Sequence, residues 1–177
     1  GVGWPLGATA GAGARPRWRS PVCTAMDPPR HTAQRKTVSP MLTPQHLATM
    51  ESTIRGHAAE ILDGLPVGEA FDWVQRVSIE LTTRMLAMLF DFPFEERSRL
   101  TWWSDMATGD PDGNGAVTSW EMRLAELQQC RERFIELWNE RVNAPPRPDL
   151  ISMLAHSPAT REMDPDEYLG NVILLIV

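Results

Sequence analysis

Apolar positions recur along this chain with a period near 3.6, not 2. From residue 44 onward Leu47, Met50, Ile54, Ala58, Ile61 and Leu65 follow steps of three and four, the spacing that lines one face of an α-helix. A second stretch after Asp72 sets Val77, Leu81, Met85 and Leu89 on one face and stops before Pro93. A third covers roughly 94–107. A fourth carries Leu124, Leu127, Phe134 and Trp138 in register until Pro145, Pro146 and Pro148 end it. Alternating, β-branched runs are scarce and no internal repeat stands out. The pattern predicts an all-α fold.

Helix starts are marked as clearly as helix faces. Asp27-Pro28, Thr43-Pro44 and Asp164-Pro165 each offer an N-cap oxygen followed by proline at the first helical position, where its missing amide costs nothing. The first predicts a short helix that Pro40 ends, the second the long helix, and the third the last helix of the chain. Ser119 and Asp149 cap two more, the latter a short helix to about Ala155.

Size and charge narrow the function classes. The 177 residues suit one domain. Six basic residues face a single acidic one over 1–40, whereas eleven face twenty-two over 41–177, giving −6 for the whole. An acidic body argues against a nucleic-acid partner. No apolar run reaches the ~18 residues of a membrane span. Two cysteines exclude a disulfide framework, and no Cys/His cluster has zinc spacing. Residues 1–25 are rich in Gly, Ala, Pro and Arg and lack the apolar stretch of a secretory signal. That composition predicts a leader without packed structure. Lys36 is the one lysine among seventeen basic residues, which suggests a GC-rich gene. Such DNA read in the wrong frame yields the same leader composition, so a frame error is the alternative reading. At the other end, NVILLIV carries neither cap nor polar tail, as expected of a fragment.

Two constellations carry candidate chemistry. His31 and Arg35 stand four apart on the first helix, hence on one face, and such a pair can bind a carboxylate; the alternative is a solvated basic face shared with Arg30 and Lys36. The loop DPDGNGAVTSWE matches the calcium pattern of an EF-hand through Asp110, Asp112, Asn114, Gly115 and Glu121. Against calcium stand Thr108 and Gly109, which break the incoming helix, and the lack of a second loop. Asp, Gly and Asn are also turn formers. Glu95/Glu96 and Asp164/Asp166 fall in first helical turns, where the helix dipole favours them. His46, His57 and His156 have no ligand spacing, and Cys130 reads as a small packed or exposed thiol. No phosphate loop, nucleophile elbow or HExxH is present, so no complete active site can be assembled.

The stretch Met26-Asp27-Pro28-Pro29-Arg30-His31-Thr32-Ala33-Gln34-Arg35, followed by Ser39-Pro40, resembles the C helix of bacterial cytochrome P450 monooxygenases, where Asp-Pro-Pro-x-His-x-x-x-Arg is characteristic. The helix beginning TPQHL, the segment SIELTTRMLAMLFDFP, the Gly/Asp loop, ERVNAPPRPDLISMLAH and DEYLGNVILLIV resemble helices D to I in order. The resemblance spans about 25–177. FDWVQRVSIELTTRMLAMLFDFPFEERSRLTWWSD and ERVNAPPRPDLISMLAH resemble more narrowly the bacterial soluble alkane and fatty-acid ω-hydroxylases.

The resemblance implies a partial P450 fold, helices C to the start of I, within 26–177. It implies that His31 and Arg35 hydrogen-bond a propionate of haem b, and that Leu174 and Val177 line the pocket of a small apolar substrate. It places the 110–121 loop between helices F and G, over the substrate channel. For the parent protein it implies a cytoplasmic enzyme that takes electrons from a ferredoxin and its reductase. Three motifs of the family are missing from these residues: Gly-Gly-x-Asp-Thr-Thr of helix I, Glu-x-x-Arg of helix K, and the Phe-x-x-Gly-x-x-x-Cys-x-Gly loop that ligates iron. Neither Cys23 nor Cys130 stands in such a loop, so the 177 residues alone are expected to be inactive and to hold haem poorly. Residues upstream of Ala25 do not resemble the family. A calcium-binding helical module and a helical partner-binding domain are the rival readings.

Overall fold

Four of the α-helices begin where a side-chain oxygen accepts from their free amides. The computed structural model describes residues 3–4, 22–113 and 115–177, and among them are seven α-helices and no strand. Helix α1 (Arg30–Val38) is followed by a 3₁₀ turn, Ser39–Leu42. Thr43 opens α2 (Pro44–Asp63) by accepting from the His46 amide at 3.3 Å. Asp72 accepts from the Gln75 amide at 3.1 Å and opens a π-helical stretch, Val74–Ile79, that runs into α3 (Glu80–Phe90). A 3₁₀ turn at Phe94–Glu96 leads to α4 (Ser98–Thr108). Ser119 caps α5 (Trp120–Val142) through the Met122 amide at 3.0 Å, and Asp149 caps α6 (Leu150–His156) through Ser152 at 2.8 Å. Asp164 accepts from the amides of both Asp166 and Glu167 at 2.9 Å to open α7 (Pro165–Ile176).

Helix α5 is the axis of the molecule. Its buried face, Leu127, Cys130, Phe134, Leu137 and Trp138, meets α4, α6 and α7, with α3 lying against α4 and α6. Phe134 sits at the centre, fully buried, with the rings of Phe90, Phe92, Trp103 and Tyr168 around it at centroid distances of 5.6–6.5 Å. Helix α2 packs on α3 at the edge, and α1 packs on α6. Between α4 and α5 the chain turns at Gly109, where a Cβ would lie 2.3 Å from Val117. Val117 is itself buried with Met106 and Leu127. No helix among the described residues is long and apolar enough to cross a membrane.

The all-α expectation and the caps at Thr43, Ser119, Asp149 and Asp164 agree with the structure; four details differ. Asp27 does not cap α1 with its side chain. Pro29 has no amide at one of the two positions a capping carboxylate binds, and Asp27 contributes only its carbonyl, to the His31 amide at 3.2 Å. In α3 the buried residues are Thr83, Ala87 and Phe90, while Val77, Leu81, Met85 and Leu89 are half-buried. Val77 lies in the wider π turn, and a turn closed at i+5 shifts the phase of every residue counted from it. On α2 only Met50 and Ile61 of the expected stripe are buried, and Leu47 is 40% exposed. Trp4, expected in a leader without packing, stacks on Trp138 at 4.3 Å, and Asn139 bonds both its amide (2.7 Å) and its carbonyl (2.9 Å). Residues 5–21 of that leader lie outside the described residues.

Candidate functional site

Helix α1 presents two polar rows, each a pair of residues one turn apart. Arg30 and Gln34 form the row that meets α7: the Arg30 Nη2 and the Gln34 Nε2 both donate to the carboxylate of Glu167. His31 and Arg35 form the adjoining row. His31 is half-buried and Arg35 exposed, and among the described residues neither side chain has a hydrogen bond or an ion pair. An imidazole and a guanidinium one helical turn apart thus have no acceptor among the described residues. Such a face suits an anionic oxygen pair, because the guanidinium fork matches a carboxylate in plane and the imidazole adds a single donor.

Leu174 lies nearby on α7, half-buried. With Cys23, Gln34, Val38, Leu154, Asn171 and Leu175 it lines a cavity of about 20 Å³, far below the ~300–1,000 Å³ of a ligand pocket. Val177, at the end of α7, is 63% exposed and does not line it. The structure therefore brings Leu174 against the inner face of α1 and leaves Val177 apart. A groove along α2, lined by Pro44, Leu47, Ala48, Glu51, Ile54 and Arg55, shares no residue with this region.

The two cysteines differ from an iron-ligating thiolate in their surroundings. Cys130 is wholly buried in α5, and burial pushes its thiol far above the ordinary range despite the charge of Arg99. Cys23 is half-buried. Desolvation raises it, and the Thr24 amide and the Arg35 charge only partly offset that. A thiol held protonated is a poor metal ligand.

In the α4–α5 loop, Asp110 Oδ1 accepts from the Asp112 amide at 3.0 Å, an Asx turn. Arg123 donates to the carbonyls of Ala107 at 2.5 Å and Gly109 at 3.1 Å, closing the end of α4. Asn114 of the calcium pattern lies outside the described residues. Among the described residues no group of three or more His, Cys, Asp or Glu side chains is placed to hold a metal ion.

Pattern reading missed Glu167, Gln34 and Asn171. Their signal was present: Glu167 and Asn171 are polar, four apart, and interrupt the apolar run Tyr168, Leu169, Val172, where an unpaired polar group would be costly.

No protein-family model matches the chain. Solved structures and curated proteins do. CYP153D17 from Sphingomonas superposes with a TM-score of 0.78 at 52% identity, over 90% of this chain and 40% of that one. Cytochrome P450-153 from Novosphingobium aromaticivorans gives 0.77 at 46% identity, over 89% and 37%. The steroid C26-monooxygenase of Mycolicibacterium smegmatis is 28% identical over 156 residues, 85% of this chain and 34% of that protein. The chain thus spans about a third of the length of the curated relatives it matches. The helix order, the Asp-Pro-Pro-x-His-x-x-x-Arg segment and these superpositions converge on a single assignment: the chain belongs to the bacterial cytochrome P450 family.

Proposed function

We propose that this chain is the part of a haem-thiolate monooxygenase that grips the cofactor at α1 and borders the substrate at α7, and that the complete enzyme hydroxylates terminal C–H bonds of alkanes or fatty acids. The observation that carries the reading is the His31/Arg35 face, unpartnered among the described residues beside a row that is fully engaged. A haem propionate is a carboxylate of the kind this face suits, so the residues present fit the group. His31 and Arg35 would hold it by charge-assisted hydrogen bonds, which are roughly twice as strong as neutral ones. They would offset its charge and fix the orientation of the ring against the protein. When bound, haem supplies the activation of dioxygen and the insertion of one oxygen atom into a C–H bond.

The rest of the chain's contribution is shape and exclusion of water. Leu174 on α7 and Val177, the residue that follows that helix, stand three apart and offer apolar side chains with no polar anchor, which suits a substrate that has only C–H bonds at its reacting end. The narrow substrate class rests on the resemblance of the 71–105 and 140–156 segments to ω-hydroxylases. Neither cysteine of this chain serves as the axial ligand in this reading. Electrons come from a ferredoxin reduced by its reductase, and the enzyme works in the cytoplasm with 26–177 as part of one catalytic domain.

The test uses the complete enzyme loaded with haem. With ferredoxin, reductase, NADH and oxygen, octane or dodecanoic acid should yield the terminal alcohol, identified by mass spectrometry. Turnover of steroids or terpenes with none of either linear substrate would overturn the substrate class. The His31→Ala/Arg35→Ala double variant should purify with markedly less haem; unchanged occupancy would remove the assigned role.

A further inference from the structure

Helix α1 has almost nothing apolar with which to hold its place. Gln34 is its one buried residue, and Val38 is its one apolar side chain packed on the core. A helix of this composition gains little from burial of apolar area, so polar bonds must fix its rotation about its own axis. Those bonds converge on α7. The Glu167 carboxylate, 2% exposed, accepts from Arg30 Nη2 and Gln34 Nε2. The Gln34 Oε1 accepts from Asn171 Nδ2 at 3.2 Å, and the Asn171 Oδ1 accepts from the Cys23 amide at 2.9 Å, ahead of the helix. Near the far end of α1, Thr37 Oγ1 and Ser157 Oγ share a hydrogen bond of 3.0 Å.

The Arg30/Gln34 row and the His31/Arg35 row are neighbours, offset by the ~100° that separates successive helical residues. Holding one row therefore aims the other. Capping does not account for the Glu167 side chain, since its two oxygens accept from Arg30 and Gln34 and not from the Asp164 amide that a capping box would engage, and a carboxylate buried to this degree is costly unless it is paired. We infer that Glu167 is a positioning residue for the cofactor: by gripping Arg30 and Gln34 it sets the direction in which His31 and Arg35 present their donors. The inference rests on the propionate reading above.

Glu167→Gln keeps the size of the side chain and exchanges one acceptor oxygen for an NH2 that meets donors on both sides, so one of them must turn away. In the complete, haem-loaded enzyme the readout is the rate of haem transfer to excess apomyoglobin, for Arg35→Ala, Glu167→Gln and the double variant. Each single change should speed haem loss on the order of tenfold, as outer partners of cofactor ligands do. The double variant should lose haem faster than Arg35→Ala only by the share carried through His31, well short of the product of the two single effects, because Glu167 acts through Arg35 and His31. If Glu167→Gln leaves the rate unchanged, or multiplies the effect of Arg35→Ala, the positioning role is overturned while the propionate reading stands. If Arg35→Ala has no effect, the propionate reading fails and this inference with it. Should Glu167→Gln not accumulate as folded protein, Arg30→Gln removes one of the same bonds from a side chain 62% exposed. It should speed haem loss in the wild-type background and less so in Arg35→Ala, and an unchanged wild-type rate would count against the role.

Discussion

Phe134 has no exposed surface and is surrounded by four rings from three other parts of the chain. Phe134→Ala should lower stability by about 3–5 kcal/mol, read from the midpoint of urea unfolding. The heptad-like register of α5 had already placed this residue inside, together with Leu127 and Trp138. The same register could not say which cysteine is accessible. Cys130 is enclosed and its thiol is held protonated by burial, whereas Cys23 is half-buried. In the native protein an alkylating reagent at neutral pH should therefore modify Cys23 and leave Cys130 intact until denaturant is added, and mass mapping of the adduct decides it. Trp4 was not legible at all. Its place depends on Trp138 and Asn139, some 135 positions away, and no local pattern encodes a partner at that distance.

Helix starts were the most legible features at the scale of elements, because a capping oxygen and the amides it serves lie within three residues. Asp164 serves two amides at once, so Asp164→Ala should cost about 1–2 kcal/mol and loosen the turn that carries Glu167, visible as faster amide exchange at 166–168. The rotation of α3 was less legible, since the π turn upstream displaces the phase on which counting relies. What ties α3 to its neighbours is electrostatic as well as apolar. Burial alone would raise the Glu80 carboxyl, but hydrogen bonds from Arg84 and Arg97, at 2.8 Å each, outweigh it and hold the group below its usual range. A carboxyl with a depressed folded value contributes stability that is full above its unfolded value of about 4.3 and is lost as pH falls through the folded value. Glu80→Gln should accordingly lower stability at neutral pH and flatten the acid limb of the stability–pH curve, its difference from the wild type shrinking towards pH 3, as followed by thermal melts between pH 3 and 7.

Across the whole molecule, large apolar side chains remain in solvent on the outer elements: Val67 is 97% exposed, and Val74, Leu42 and Trp73 each more than half. The 177-residue chain by itself should bind a hydrophobic dye such as ANS in its folded state, whereas dye fluorescence no greater than that of an ordinary folded globule would contradict the exposure seen here. By itself the sequence determined the all-α class, the order of the helices, most of their starts and the His31/Arg35 pair, since each depends on contacts within one or two turns and leaves a periodic or capping signature. The tertiary structure alone decided which rows of α1 face what. Glu167 and Asn171 lie 133 to 148 positions from the groups they bond. That spacing carries no period, and the cost of burying a polar group becomes visible only when the helices are packed and its partners can be named.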